Sequence, residues 1–210
     1  MSARETLPRV VRLGGSLLED PRVKDRLRTW LALQPPAPTV LVVGGGPWVE
    51  AIRTAFALHG LTEEAAHWLS VRAMGLTARL ALELWPEATL LTELAEAQAW
   101  RRLDAPAIFD VQHTLTADAA SSAPALPQNW SVTSDSIAAL VARALGASEL
   151  VLLKSALPAP LFDFASAAEQ GYVDAYFPVA ARELSSVRCI DLRGDAFPER
   201  VLRCRESPSV

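Results

Sequence analysis

The chain has 210 residues, half of them apolar, with a formal net charge of -4. That length suits one compact domain or two merged lobes, with side chains enough for a sizeable core. The acidic balance offers no basic footprint for nucleic acid, and no run is apolar for long enough to cross a bilayer.

Two cysteines, Cys189 and Cys204, are too few for a disulfide framework and lack metal-ligand spacing. No metal site is expected from them. The polar start, Met1 to Arg9, has no signal-peptide character. These features lead us to expect a soluble cytoplasmic protein with reduced thiols and neither a nucleic-acid nor a membrane partner.

Arg9 to Leu13 reads as a short strand ending at Gly14-Gly15-Ser16, followed by a polar helix over about 21–33. The proline cluster at 35–38 stops that helix. Thr39 to Val43 is a β-branched run of the kind buried on both faces of a parallel sheet. It ends at Gly44-Gly45-Gly46, and Pro47 opens a helix closing near Gly60. Thr62 caps a long helix reaching Leu84, whose Trp68 and Met74, with Trp85 just beyond, read as core or subunit packing.

A weak strand is predicted at 88–91, then a helix over 93–101 capped by Thr92, then a strand at 107–109. Residues 116–128, rich in Ala, Ser and Pro, read as a surface connection. Thr133-Ser134-Asp135 starts a helix that Gly146 closes. Glu149 to Lys154 is a clear strand. Helices follow around 164–170 and 179–184, with a strand at 187–190. This alternation implies an α/β fold, a mainly parallel central sheet sandwiched between helices. Ligands of such sheets bind outside the carboxyl ends of the strands, where both glycine clusters and Lys154 fall.

A phosphate chain binds where backbone N–H groups converge and no Cβ blocks their approach. Gly14-Gly15 and Gly44-Gly45-Gly46 each join an apolar strand to a helix, so two such turns point to an anion site. Neither carries the Gly-Lys-Ser/Thr ending of a P-loop or the spacing of a dinucleotide fold. Arg12 either reaches over the first turn or decorates an edge strand. Lys154, one of only two lysines with Lys24, is either a point charge for phosphate or a solvated strand end. Asp135 reads as a helix cap or as a carboxylate orienting cations. His67 and His113 read as structural. No Ser/His/Asp ordering or metal-ligand cluster emerges.

Three segments together resemble the amino-acid-kinase superfamily, which contains aspartate, acetylglutamate and uridylate kinases. They are Val10 to Leu17, Val42 to Pro47, and Thr133 to Ala138 with the strand to Lys154. A narrower resemblance rests on Gly44-Gly45-Gly46-Pro47-Trp48 with Arg53, Ala66-His67-Trp68, Trp130, Leu152 to Ser155, and Gly171-Tyr172-Val173-Asp174. These are similar to the (5-(aminomethyl)furan-3-yl)methyl phosphate kinases of methanopterin biosynthesis.

The resemblance implies a single three-layer domain over 1–210, with an acceptor-binding lobe over about 1–130 and a nucleotide-binding lobe over 131–210. It implies ATP with Mg²⁺, a small phosphate-bearing acceptor, and a homodimer or higher homo-oligomer. Arg12, Lys154 and Asp135 would be catalytic. Gly14, Gly15, Ser16, Gly44, Gly45 and Gly46 would cradle phosphates, and Arg53, His67, Thr133 and Ser134 would bind the acceptor. The superfamily has lysine where Arg12 stands and a further lysine downstream, and none follows Lys154 here. A kinase for a small carboxylate, or a non-catalytic nucleotide- or metabolite-binding relative, is the alternative.

Overall fold

Short β-branched runs bounded by glycine and proline build the centre of the molecule. The computed structural model describes residues 6–119, 126–157, 160 and 163–204. Among these, one sheet is formed by β1 (Arg9–Leu13), β2 (Thr39–Val43), β3 (Thr89–Leu91), β4 (Ala107–Phe109), β5 (Glu149–Lys154), β6 (Ser186–Asp191) and β7 (Glu199–Arg203). The strand order is β3-β4-β2-β1-β5-β6-β7, and every pairing is parallel except the β6–β7 edge.

The helices are α1 (Val23–Ala32), α2 (Pro47–His59), α3 (Glu63–Leu84), α4 (Leu94–Ala99), α5 (Val111–Ala119), α6 (Ser134–Ala144), α7 (Phe164–Glu169) and α8 (Phe177–Ala180). Period-two alternation sends successive strand residues to opposite faces. Val10, Val42, Leu150 and Leu152 meet Ile137, Ala138 and Val141 of α6 and Phe177 of α8 on one face. Val11, Leu13, Val43, Val151 and Leu153 meet Leu27 and Trp30 of α1 and Ala78 and Ala81 of α3 on the other. The expected α/β sandwich is the observed architecture. No helix among the described residues is long and apolar enough to cross a membrane.

Local departures have identifiable causes. Residues Gly15–Glu19 form a 3-10 turn between β1 and α1. Thr92 does not cap α4: the Glu96 carboxylate accepts the N–H groups of both Thr92 and Glu93, so the cap lies one residue later. The expected surface connection begins inside α5, which Val111 anchors by burial and Asp110 starts by accepting the Gln112 N–H. Residues 120–125 of that connection lie outside the described residues. Helix α8 starts at Phe177, earlier than the sequence suggests, because Pro178 suits a first turn. Strand β7 goes unrecognised in the sequence because only Leu202 of its five residues is buried. Its identity as a strand comes from pairing with β6.

Candidate functional site

Register brings the site together. Leu13 pairs with Val43 on one side and Leu153 on the other, so both glycine turns and Lys154 emerge side by side at the carboxyl edge. The Gly14 N–H donates to the Leu153 carbonyl and the Gly44 N–H to the Leu13 carbonyl, both at 2.9 Å. The two turns then pack backbone to backbone. A Cβ on Gly15 would fall 2.1 Å from the Gly46 nitrogen, and Gly46 itself has φ of 56°. Close approach of two turns therefore demands glycine here whatever ligand they meet.

The same alternation explains the charged cluster. Arg12 shares its face with Val10, and Lys154 with Leu150 and Leu152. Arg12 is in register with Leu152, so the two cations project from adjacent strands one pleat apart, toward α6. β1 is a central strand, which excludes the edge-strand reading of Arg12. Thr133 caps α6, its hydroxyl accepting the Asp135 N–H at 3.4 Å, and Asp135 is left to face the cations.

Asp135 lies between them, with Oδ1 3.0 Å from Arg12 Nε and Oδ2 2.8 Å from Lys154 Nζ. The three side chains are 13, 6 and 14 % exposed for Arg12, Asp135 and Lys154. Arg12 Nε and Nη2 donate to Ser134 Oγ at 3.1 and 2.9 Å. Asp135 Oδ1 is consequently sealed from solvent without an aligned hydrogen bond of its own. Burial would push the Asp135 carboxyl up, but Arg12 and Lys154 outweigh it and hold it below the usual carboxylate range. Burial pushes the Lys154 ammonium down, with Asp135 opposing.

A cavity of about 400 Å³ opens beside this cluster. Arg12, Gly15, Ser16, Gly45, Gly46, Arg53, His67, Thr133 and Ser134 line it together with apolar Val71, Met74 and Ile137; Lys154 is not among the lining residues. Arg53 is half exposed, lies 5.0 Å over the Trp130 ring, and sits 3.8 Å from Glu50. His67 is buried, and burial holds its imidazole below the ordinary range while a hydrogen bond with the Asn129 backbone opposes the shift. His113, by contrast, is exposed and 2.6 Å from Glu93. The Thr133 hydroxyl donates to Asp174 at 2.8 Å, so Thr133 and Ser134 are both engaged within the protein.

Sequence reasoning assigned no role to Tyr172 or Asp174, although both fall in a quoted motif. Lys154 Nζ donates to the Tyr172 carbonyl and lies 4.3 Å over its ring. Asp174 accepts the N–H groups of Thr133 and Ser136 at 2.9 and 3.0 Å. These contacts span separations of 18 to 41 residues, which no local pattern encodes.

No family model and no curated protein matches this sequence. Solved structures match in fold. The UMP kinase from Bacillus anthracis is 11% identical with a TM-score of 0.69, over 96% of this chain and 98% of that one. The UMP kinase from Ureaplasma parvum is 12% identical with a TM-score of 0.65, over 94% and 99%. The uridylate kinase from Archaeoglobus fulgidus is 18% identical with a TM-score of 0.58, over 92% and 99%. The chain thus has a three-layer α/β fold like that of the UMP kinases, matched over nearly the whole length of both partners. At these identities the likeness is one of fold.

Proposed function

We propose that this protein is an ATP-dependent phosphotransferase acting on a small phosphate-bearing acceptor. The observation that carries the reading is the buried Arg12–Asp135–Lys154 cluster, set against two glycine turns at the mouth of a cavity. Phosphoryl transfer needs positioning and charge neutralisation more than a covalent nucleophile, and this cluster supplies both. The fold shared with UMP kinases supports the same class.

In this reading an oxygen of the acceptor's phosphate attacks the γ-phosphorus of ATP. A new P–O bond forms, the β–γ bridge breaks, and ADP leaves with a diphosphate as the other product. Backbone N–H groups of Gly15, Gly45 and Gly46 cradle the phosphates with Ser16 beside them, while those of Gly14 and Gly44, expected to join them, are engaged by the Leu153 and Leu13 carbonyls and only frame the turns. Arg12, on the cavity side, neutralises the transferring group. Lys154 acts from the other side of Asp135, toward the nucleotide. Arg53 and His67 hold the acceptor, with Thr133 and Ser134 shaping its floor. Among the described residues no three His, Cys, Asp or Glu side chains gather as a cation cage, so Mg²⁺ would arrive on the nucleotide's own phosphates.

The acceptor we favour is a furan-methyl phosphate of tetrahydromethanopterin biosynthesis, on the motif resemblance alone. Residues 1–130 would supply the acceptor side and 131–210 the nucleotide side. We take the protein to be a cytoplasmic homodimer. Helix α2 supports an assembly, since none of its residues is buried although Trp48, Ile52, Phe56 and Leu58 lie along it.

One observation favours the alternative of binding without turnover. Lys154 already donates hydrogen bonds to Asp135 and to the Tyr172 carbonyl, which leaves one N–H for a ligand. A screen of furan-methyl phosphates and common acyl acceptors with ATP-Mg²⁺, read by ADP production, separates the readings. Acceptor-dependent ADP release from one phosphate is the expected result. Nucleotide binding with no such release from any acceptor would sink the kinase assignment.

A further inference from the structure

We propose that the segment Tyr172–Asp174 is the positioning element of this site, with Asp174 its positioning residue, because it holds Lys154 directly and Asp135 through Thr133 and Ser136 on either side of it. The inference rests on the kinase reading for its catalytic consequence and on geometry alone for its structural one.

Asp174 holds the first turn of α6. Its carboxylate accepts the Thr133 N–H at 2.9 Å, the Thr133 hydroxyl at 2.8 Å, the Ser136 N–H at 3.0 Å and the Ser136 hydroxyl. These donors flank Asp135 in the chain, so the turn that carries Asp135 is clamped on both sides of it. Two residues earlier, the Tyr172 carbonyl accepts from Lys154 Nζ and the Tyr172 ring lies under the ammonium.

The segment is itself anchored. The Tyr172 N–H donates to the Ala167 carbonyl at 2.9 Å, and the Tyr176 N–H to the Ser131 carbonyl at 3.0 Å. Val173 between the two gripping residues is buried. A lysine head on a four-carbon stem has many rotamers and no fixed fork, so it needs such guides more than arginine does. Arg12 has its own guide in Ser134. Lys154 and Asp135 have theirs in this one segment.

The rival account is that Asp174 only stabilises α6. Two readouts separate them. The chain has two lysines, Lys24 and Lys154, so lysine-labelled protein gives two side-chain ammonium signals, assigned with Lys154→Arg. The Lys154 ammonium should be visible in slow exchange, and Asp174→Ala should abolish that signal. The same variant should lower kcat by about tenfold to a hundredfold, with KM for ATP changed by no more than about twofold. Asp174→Asn keeps an acceptor oxygen and should regain part of both. If Asp174→Ala does not fold, Ser136→Ala, which removes one of the four donors, should weaken the signal and kcat in the same sense. A folded Asp174→Ala protein with the Lys154 signal and kcat unchanged would overturn the proposal. So would a kcat that falls only with the folded fraction. A wild-type chain without transfer activity would remove the kinase reading, and the ammonium signal would still decide whether Asp174 positions Lys154.

Discussion

Lys154 Nζ lies 2.8 Å from Asp135 Oδ2, with both side chains nearly closed to solvent. The two residues come from the end of a strand and the start of the helix preceding it, and their meeting joins the sheet to α6. A charge pair this deep is a weak source of net stability but is costly to break, since removing one partner strands the other.

Asp135→Ala should therefore destabilise the fold by about 3–5 kcal/mol, because Arg12 and Lys154 then face each other without a counter-charge. Urea unfolding monitored by circular dichroism measures it. A loss below about 1 kcal/mol would mean that water reaches the cations and pairs with them.

The acid limb of stability should carry the signature of Asp135. Its folded pKa is held below the ordinary value of 3.8, so its contribution is fully present above that value. It is lost as pH falls below 3.8 through the folded pKa. Asp135→Asn, compared with wild type from pH 5 to pH 2, should show a flatter loss of stability. Parallel curves would remove Asp135 from the acid transition.

His67 should act at milder pH. Its folded pKa lies below the ordinary value of 6.5, so the unfolded chain takes up the proton first. Stability then falls as pH drops below 6.5 toward the folded pKa. Replacing the ring by His67→Phe should remove that part of the slope. Denaturation midpoints at pH 7.5 and 5.5 for both proteins test this, and identical differences would reject it.

If the kinase reading holds, Arg12→Ala and Lys154→Ala should each lower kcat by roughly a hundredfold or more, while KM for ATP moves less. Arg12→Lys should keep substantial activity if the shorter head reaches the same oxygen. Both alanine variants turning over at the wild-type rate, with melting temperatures recorded on the same preparations, would place the phosphates on other groups.

Gly15→Ala tests the packing of the two turns. Its Cβ would meet backbone atoms of Gly44 and Gly46 at 2.1 to 2.5 Å, so a shift of the chain is unavoidable. The melting temperature should fall and nucleotide affinity with it. Gly60→Ala is the control: nothing lies within 4 Å of its Cβ, and only the left-handed backbone, with φ of 62°, is strained. A loss in Gly15→Ala no larger than that in Gly60→Ala would show that the two turns yield to the added methyl, since Gly15 itself has no left-handed backbone to strain.

Much of this was legible locally. Val40 to Val43 read as a buried strand because a β-branched apolar run suits a sheet covered on both faces, and Val10-Val11 read as part of a short apolar strand. Thr62 and Thr133 read as caps because a side-chain oxygen before a helix satisfies a free N–H, and both do so. The glycine turns and the cationic residues at strand ends were visible for the same reason, since their chemistry depends on near neighbours. Asp135 was ambiguous, because a carboxylate in a first helical turn looks the same whether it faces solvent or a cation.

What the sequence by itself determined was the alternation of elements and the residue types at each strand end, because propensity, periodicity and capping act over a few residues. Only the tertiary structure decided that β1 is central, so that Arg12 points inward beside α6. It also decided that Lys154 meets Asp135 instead of solvent, and that Tyr172 and Asp174 close around them. Those contacts depend on strand order and register across the sheet, which the long-range burial of apolar faces selects and no short window of sequence contains.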